Sequence, residues 1–198
     1  MIIRPFTASL KSGGILDHYR IIRPIGAGGM GTVYLAFDET LQRELVLKVI
    51  EQPGQLAVRF SREVRAMAKL SHPNVVTVYG VGALPNDGGY YLAMELLRGE
   101  TLAARLDRGP VPLLEAMAIA VQVAAGLSAA HQRGIVHRDI KPTNIFLTEG
   151  ADSKGTANLL DFGIAKNYEV EDSLITMSGT IVGTPAYMAP EQMEGSEQ

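Results

Sequence analysis

The chain has no cysteine in its 198 residues, which excludes a disulfide framework and any thiolate metal site. That absence suits a reducing compartment, and a cytoplasmic location is the expectation. Positive charge is in short supply as well. Lys and Arg number 18 against 21 Asp and Glu, for a net charge of −3. No basic field is available to attract nucleic acid or an anionic membrane. The opening residues, Met1 to Leu16, lack the continuous apolar core of a signal peptide. The one long apolar stretch, Leu113 to His131, is rich in Ala and carries Glu115, Gln122 and Ser128. A membrane span would need about 20 strongly apolar residues without a charge. A buried core helix is therefore expected there, and no membrane segment. Internal repeats and low-complexity stretches are lacking too. What is present is an ordinary soluble composition, 46% hydrophobic and 20% charged, enough for one large or two small domains.

The densest chemistry lies in Ile135-Val136-His137-Arg138-Asp139-Ile140-Lys141-Pro142-Thr143-Asn144-Ile145-Phe146-Leu147. Ile135-Val136 and Ile145-Phe146-Leu147 are β-prone runs expected to pin a polar loop between them. The loop gathers a carboxylate, two cations, an amide and an imidazole. Asp139 can accept a hydroxyl proton, Lys141 can neutralise phosphate charge, and the Asn144 amide oxygen can hold a hard cation. The competing explanation is a hairpin turn with capping polar groups.

Upstream, Tyr19 to Ile25 has strand character and leads into Ile25-Gly26-Ala27-Gly28-Gly29-Met30-Gly31-Thr32-Val33, which contains G-x-G-x-x-G-x-V. A dinucleotide fingerprint would need a helix straight after the glycines. Thr32 to Phe37 is β-branched and aromatic instead, which favours strand, glycine turn, strand: a flap whose backbone N–H groups approach phosphates. Arg43 to Ile50 is a further strand with Lys48 among apolar neighbours, costly unless the ammonium meets an anion. An edge-strand lysine facing water is the alternative. Glu63, in the helix-prone run Arg59 to Leu70, is the candidate partner, or else a solvated helix charge. Val75 to Gly82 and Tyr90 to Glu95 complete five strands. Leu96 to Gly99 connects to a helical half with a short helix over Thr101 to Asp107 and the long one ending near Arg133-Gly134. A strand over Ala157 to Leu160 leads into Asp161-Phe162-Gly163, where a carboxylate at a strand end could bind a metal bridging phosphates. Ser173, Thr176, Ser178 and Thr180 then offer hydroxyls before Ala189-Pro190-Glu191.

Taken in order, these motifs resemble the eukaryotic-type protein-kinase family, with bacterial Ser/Thr protein kinases the nearest likeness. The match runs from about Tyr19 to Gln192, and the catalytic loop follows the H-R-D-L-x-x-x-N pattern with Ile140 for Leu. The resemblance implies an α+β, two-lobed fold: a flexible tail over 1–18, a β-rich N-lobe over 19–95, a hinge over 96–99 and a partial, mainly helical C-lobe over 100–198. It implies an ATP-dependent protein serine/threonine kinase using Mg²⁺, with protein substrates, no nucleic-acid partner and no stated oligomeric state. Asp139 would be the base, Lys141 would stabilise the transferred phosphate, and Asn144 and Asp161 would hold Mg²⁺. Ile25, Gly26, Ala27, Gly28, Gly29, Met30, Gly31, Thr32 and Val33 would form the flap. Lys48 would bind phosphates, held by Glu63. Val46, Phe146 and the backbone of Glu95 and Leu97 would take adenine, with Met94 as gatekeeper. Met67, Val78, His137 and Phe162 match an apolar stack that assembles in the active state.

Arg138 beside the base implies activation by loop phosphorylation, since an isolated buried arginine is expensive and a phosphate would neutralise it. Thr176 and Ser178, then Thr180, are the sites this implies. Val46 departs from the family's usual Ala and predicts slightly weaker ATP binding. The family's helical lobe continues past Glu191, so the resemblance also implies a fragment or incomplete sequence, with an apolar face of the long helix left exposed. A catalytically silent nucleotide-binding or regulatory remnant is the alternative function.

Overall fold

Alternation along Arg43–Ile50 decides what one face of the main sheet does. Leu45, Leu47 and Val49 are fully buried in a core with Leu16, Tyr19, Ile21, Tyr34, Ala36, Tyr91 and Ala93. Val46 and Lys48 therefore point to the opposite face. A computed structural model describes residues 10–28, 31–51, 67–85, 88–149, 155–162 and 185–190. Two compact units result, one made of 1–71 with 76–97, the other of 72–75 with 98–198.

The first unit is a six-stranded sheet in the order β1-β2-β3-β4-β6-β5, antiparallel at every pairing. Its strands are β1 (Ile15–Leu16), β2 (Tyr19–Gly28), β3 (Gly31–Asp38), β4 (Arg43–Ile50), β5 (Val78–Ala83) and β6 (Tyr90–Met94). The buried Asp38 carboxylate accepts from the N–H groups of Thr40 and Leu41, both at 2.9 Å, which shapes the β3–β4 turn. The flexible tail expected over 1–18 does not run free from Leu10 onward, and it includes β1. Gly13, at φ 83°, lets the chain double back, so its N–H meets Ile21 O and Gly14 O accepts from Ile21 N–H, each at 2.8 Å. Leu10 packs on the core.

The second unit carries β7 (Gly99–Thr101), β8 (Ile145–Thr148) and β9 (Thr156–Leu159) in one antiparallel sheet, with helices α1 (Leu102–Asp107) and α2 (Leu113–His131). Thr101 caps α1 by accepting from Ala104 N–H at 3.2 Å. Gly134, at φ 71°, closes α2: its N–H meets His131 O at 2.9 Å, and Ile135 N–H meets Ala130 O at 3.0 Å. This is the two-bond left-handed helix terminus that glycine favours.

Three expectations are corrected here. Ile135-Val136 forms no strand, because Ile135 N–H is spent on the end of α2 and Val136 is exposed. Strand β5 starts at Val78 rather than Val75, because Val75 instead bridges Leu159 in parallel within the second unit. Nor is α2 a buried core helix. Only Gly126 and Ala130 are buried, while Leu113, Leu114, Met117 and Val121 are exposed. By length and hydropathy α2 would suffice to cross a membrane, with 11% of its span buried. Its contact edge is made of small residues, which bring backbone close but cover little area.

Candidate active site

In the first unit, register assembles the expected nucleotide residues. Val33 lies opposite Lys48, and Lys48 opposite Leu92; one row along, Leu35 lies opposite Val46, and Val46 opposite Met94. Directly paired residues share a face, and residues two apart share it too. Val33, Val46, Lys48 and Met94 therefore share the face away from the core. Lys48 is 8% exposed. The glycine turn sits at the β2–β3 end, where Gly26 pairs Val33, Ala27 pairs Thr32 and Gly28 pairs Gly31. Ile25 is exposed beside it. Gly31 has φ 118°, and a Cβ there would lie 2.0 Å from Val49 O. Only glycine fits that approach of β3 to β4. Beyond β6, Glu95 N–H donates to Thr77 O at 2.9 Å, so an adenine contact from Glu95 falls to its carbonyl. Gly29, Met30, Glu63, Thr176, Ser178 and Thr180 lie outside the described residues.

In the second unit the polar loop is held by hydrogen bonds rather than by a ladder. Asp139 is 7% exposed, and its carboxylate meets Lys141 Nζ at 3.0 Å. Asn144, equally buried, donates from Nδ2 to Asp139 O at 2.8 Å and to Asp139 Oδ2 at 3.0 Å. Pro142 opens the one-turn 3-10 segment Pro142–Asn144, whose last N–H bonds to Lys141 O and brings the amide back over Asp139. His137, 1% exposed, meets Leu160 O through Nε2 at 2.8 Å, and its Nδ1 accepts from Asp139 N–H at 3.3 Å. This pair of bonds defines the neutral imidazole with the proton on Nε2. Burial pushes its pKa below the ordinary value, opposed by the Leu160 bond and by the charges of Asp139 and Asp161. The Phe162 ring lies 4.5 Å from the His137 ring, while Met67 and Val78 are buried in the first unit.

Asp161 joins this loop through the backbone, because Leu160 N–H donates to Asn144 O at 2.9 Å. Arg138 and Asp161 both take left-handed backbone, φ 60° and 45°, as single residues held by their surroundings can. Arg138 is exposed, so the expectation of a buried arginine awaiting a phosphate is corrected. Phe146 sits in β8, half-buried, opposite Asn158 and Thr101. Among the described residues no cluster of three His, Asp or Glu side chains could hold a metal alone. Mg²⁺ needs none, since one or two protein oxygens and substrate phosphates complete its shell. Asn144 directs Nδ2 to Asp139, which leaves Oδ1 as the atom it could offer a cation; that oxygen and the Asp161 carboxylate are hard donors of the kind that ion takes.

Sequence reasoning missed two residues. Asn74 Nδ2 donates to Gln122 Oε1 at 3.0 Å and to Ala157 O at 2.9 Å, and Ala157 N–H also donates to Gln122 Oε1 at 3.0 Å. A lone glutamine within apolar, Ala-rich α2 was the available signal.

The profile of the protein kinase domain matches residues 19–198. The chain belongs to the protein kinase family. It is 40% identical over 190 residues to the serine/threonine-protein kinase pkn2 of Myxococcus xanthus, covering 92% of this chain and 22% of that protein. With PrkC of Bacillus subtilis it shares 38% over 186 residues, covering 91% and 28%. With PknL of Mycobacterium tuberculosis the figures are 40% over 190 residues, covering 93% and 45%. This kinase chain thus spans less than half the length of these relatives. A crystal structure of the Mycobacterium tuberculosis PknI kinase domain superposes with TM-score 0.72 at 30% identity, covering 95% of this chain and 70% of that one. The α+β kinase fold with a β-rich N-lobe is the one observed.

Proposed function

We propose that the protein is an ATP-dependent protein serine/threonine kinase. The observation carrying this is the buried Asp139 carboxylate, held by Asn144 and paired with Lys141 at 3.0 Å. Asp139 accepts the proton of a Ser or Thr hydroxyl as its oxygen bonds to the γ-phosphorus, the bridging bond to the β-phosphate breaks and ADP leaves. Lys141 offsets charge on the transferred phosphoryl group. Asn144 and Asp161 would hold Mg²⁺, which would supply neutralisation of phosphate charge when bound. Lys48 and the glycine turn bind the phosphates, with Glu63 as partner to the lysine. Ile25, Val33, Val46 and Met94 take adenine on the first unit, with the Glu95 carbonyl and the Leu97 backbone as its hydrogen-bond partners, and Phe146 is the adenine residue expected from the second. Relatives named as serine/threonine kinases support the acceptor class.

Activation by phosphorylation at Thr176, Ser178 or Thr180 belongs to this proposal. Arg138 supports it as an exposed cation next to the base, a side chain of the kind that pairs with phosphate. The lack of cysteine supports a cytoplasmic location.

Transfer of radiolabelled γ-phosphate to a Ser/Thr protein substrate by the purified chain, with Asp139→Asn as control, tests the activity. Loss of the base should lower the rate about a hundredfold to ten-thousandfold. Nucleotide-dependent thermal stabilisation with no transfer from the unsubstituted chain would instead support a silent nucleotide-binding module. Phosphopeptide mapping of active protein that found no phosphate on those three residues would remove the activation proposal.

A further inference from the structure

The three hydrogen bonds joining Asn74, Gln122 and Ala157 have no part in the chemistry above, yet they grip the strand that delivers Asp161. Gln122 Oε1 accepts from the Asn74 side chain and from the Ala157 backbone, both at 3.0 Å. Asn74 spans the same gap with a second donation, to Ala157 O at 2.9 Å. Two residues further along β9, Leu159 N–H meets Asn74 O at 2.9 Å. One more residue on, Leu160 N–H meets Asn144 O and Leu160 O meets His137 Nε2. Asp161 follows directly. Every polar backbone group named in this run is tied to α2, to the 72–75 segment or to the catalytic loop. At Gly126 a Cβ would come within 2.8 Å of Asn74 O and 3.0 Å of Leu159 Cδ1. Helix, segment and strand are thus pressed together on one small edge.

We propose that Gln122 is a positioning residue for metal binding at Asp161, acting through Asn74 and the register of β9. The inference rests on the kinase reading, since it takes Asp161 as a metal ligand. Gln122 acts as an acceptor only: both groups that meet Oε1 are donors. Removing it leaves the Ala157 N–H without its partner and frees Asn74 to turn. Strand β9 can then slide or fray, and Asp161, two residues past its end, loses its fixed place relative to the catalytic loop. Glutamate keeps an acceptor at the same reach, whereas leucine does not.

The test uses the 198-residue chain with Gln122→Leu and Gln122→Glu. Phosphate transfer is measured against Mg²⁺ concentration at saturating ATP. In parallel, Mn²⁺ binding with a non-hydrolysable ATP analogue is followed by electron paramagnetic resonance. Outer-shell partners of metal ligands typically change affinity tenfold or more. Gln122→Leu should raise the Mg²⁺ midpoint and the Mn²⁺ dissociation constant about tenfold, with the KM for ATP at saturating metal within about twofold. Gln122→Glu should restore both midpoints. A purely structural role would lower the melting temperature and the active fraction without moving either midpoint, and that result overturns the proposal. Failure of Gln122→Glu to restore the midpoints overturns it as well. Should the unsubstituted chain neither transfer phosphate nor bind Mn²⁺, the kinase reading fails and this proposal with it. An active unsubstituted chain with unmoved variants sinks the proposal alone.

Discussion

The sheet around Lys48 and the loop around Asp139 place charged groups in opposite ways. On the sheet, backbone pairing does the placing: Lys48 faces where it does because Leu45, Leu47 and Val49 take the other side. In the loop, functional side chains do the placing themselves. Asn144 holds the Asp139 backbone with the amide whose oxygen is proposed to bind metal, and His137 holds both Leu160 and Asp139. The sheet separates scaffold from chemistry, and the loop joins them in single residues. Substitutions should therefore act differently in the two regions.

The largest effect comes from removing one polar group in each. Lys48→Met should cut phosphate transfer about a hundredfold or more by deleting a fixed charge at the phosphates. Its melting temperature should change less than that of Asn144→Ala, because the backbone pairing that places β4 does not use the Lys48 side chain. Asn144→Ala should lose activity to a similar degree and also about 1–3 kcal/mol of stability, because it removes the buried amide that bonds both the Asp139 carbonyl and the Asp139 carboxylate. Paired transfer assays and thermal melts check this. Equal stability loss in both variants would erase the distinction between the regions.

A smaller effect tests whether register governs the first region. Gly31→Ala places a methyl 2.0 Å from Val49 O at a φ of 118°. Strain of that kind costs about 1–3 kcal/mol. The β3–β4 pairing should loosen at its Gly31 end, with faster amide exchange at Thr32 and Val49 and a lower melting temperature. A melt indistinguishable from that of the unsubstituted chain would break the register account.

The same contrast explains what could be read in advance. The alternation in Arg43–Ile50 is local, so the face and neighbours of Lys48 followed from eight consecutive residues. The loop motif named Asp139, Lys141 and Asn144, and Asp161-Phe162-Gly163 named Asp161, through side-chain chemistry and likeness to a family rather than by any period in the residues. Contacts across long separations stayed hidden. Asn74 reaches Gln122 across 48 residues and Ala157 across 83, and no local pattern marks either. Ile135-Val136 looked like a strand because β-branched residues favour one, yet a left-handed Gly134 committed Ile135 N–H to the helix end. Composition made α2 look like a core helix, whereas burial depends on which face finds a partner, and only its Gly126 and Ala130 are buried.

The mildest way to sharpen the comparison is pH, because an imidazole holds the loop while backbone pairing holds the glycine turn. Protonating His137 puts a second N–H on the ring at Nδ1, facing the Asp139 N–H it now accepts from at 3.3 Å. Two donors then oppose each other in a buried site. Burial accordingly holds the folded-state pKa below the unfolded value near 6.5. The unfolded chain therefore binds the proton first as pH falls. The stability tied to neutral His137 is fully present above about 6.5, and it is lost as pH drops from there through the lower folded-state value. One proton limits the slope to about 1.4 kcal/mol per pH unit. Thermal melts at pH 7.5 and 5.5 should show this loss in the unsubstituted chain and a smaller one in His137→Phe, which cannot titrate. If both lose the same amount, the carboxylates carry the acid sensitivity and His137 is not the group that makes the loop pH-dependent.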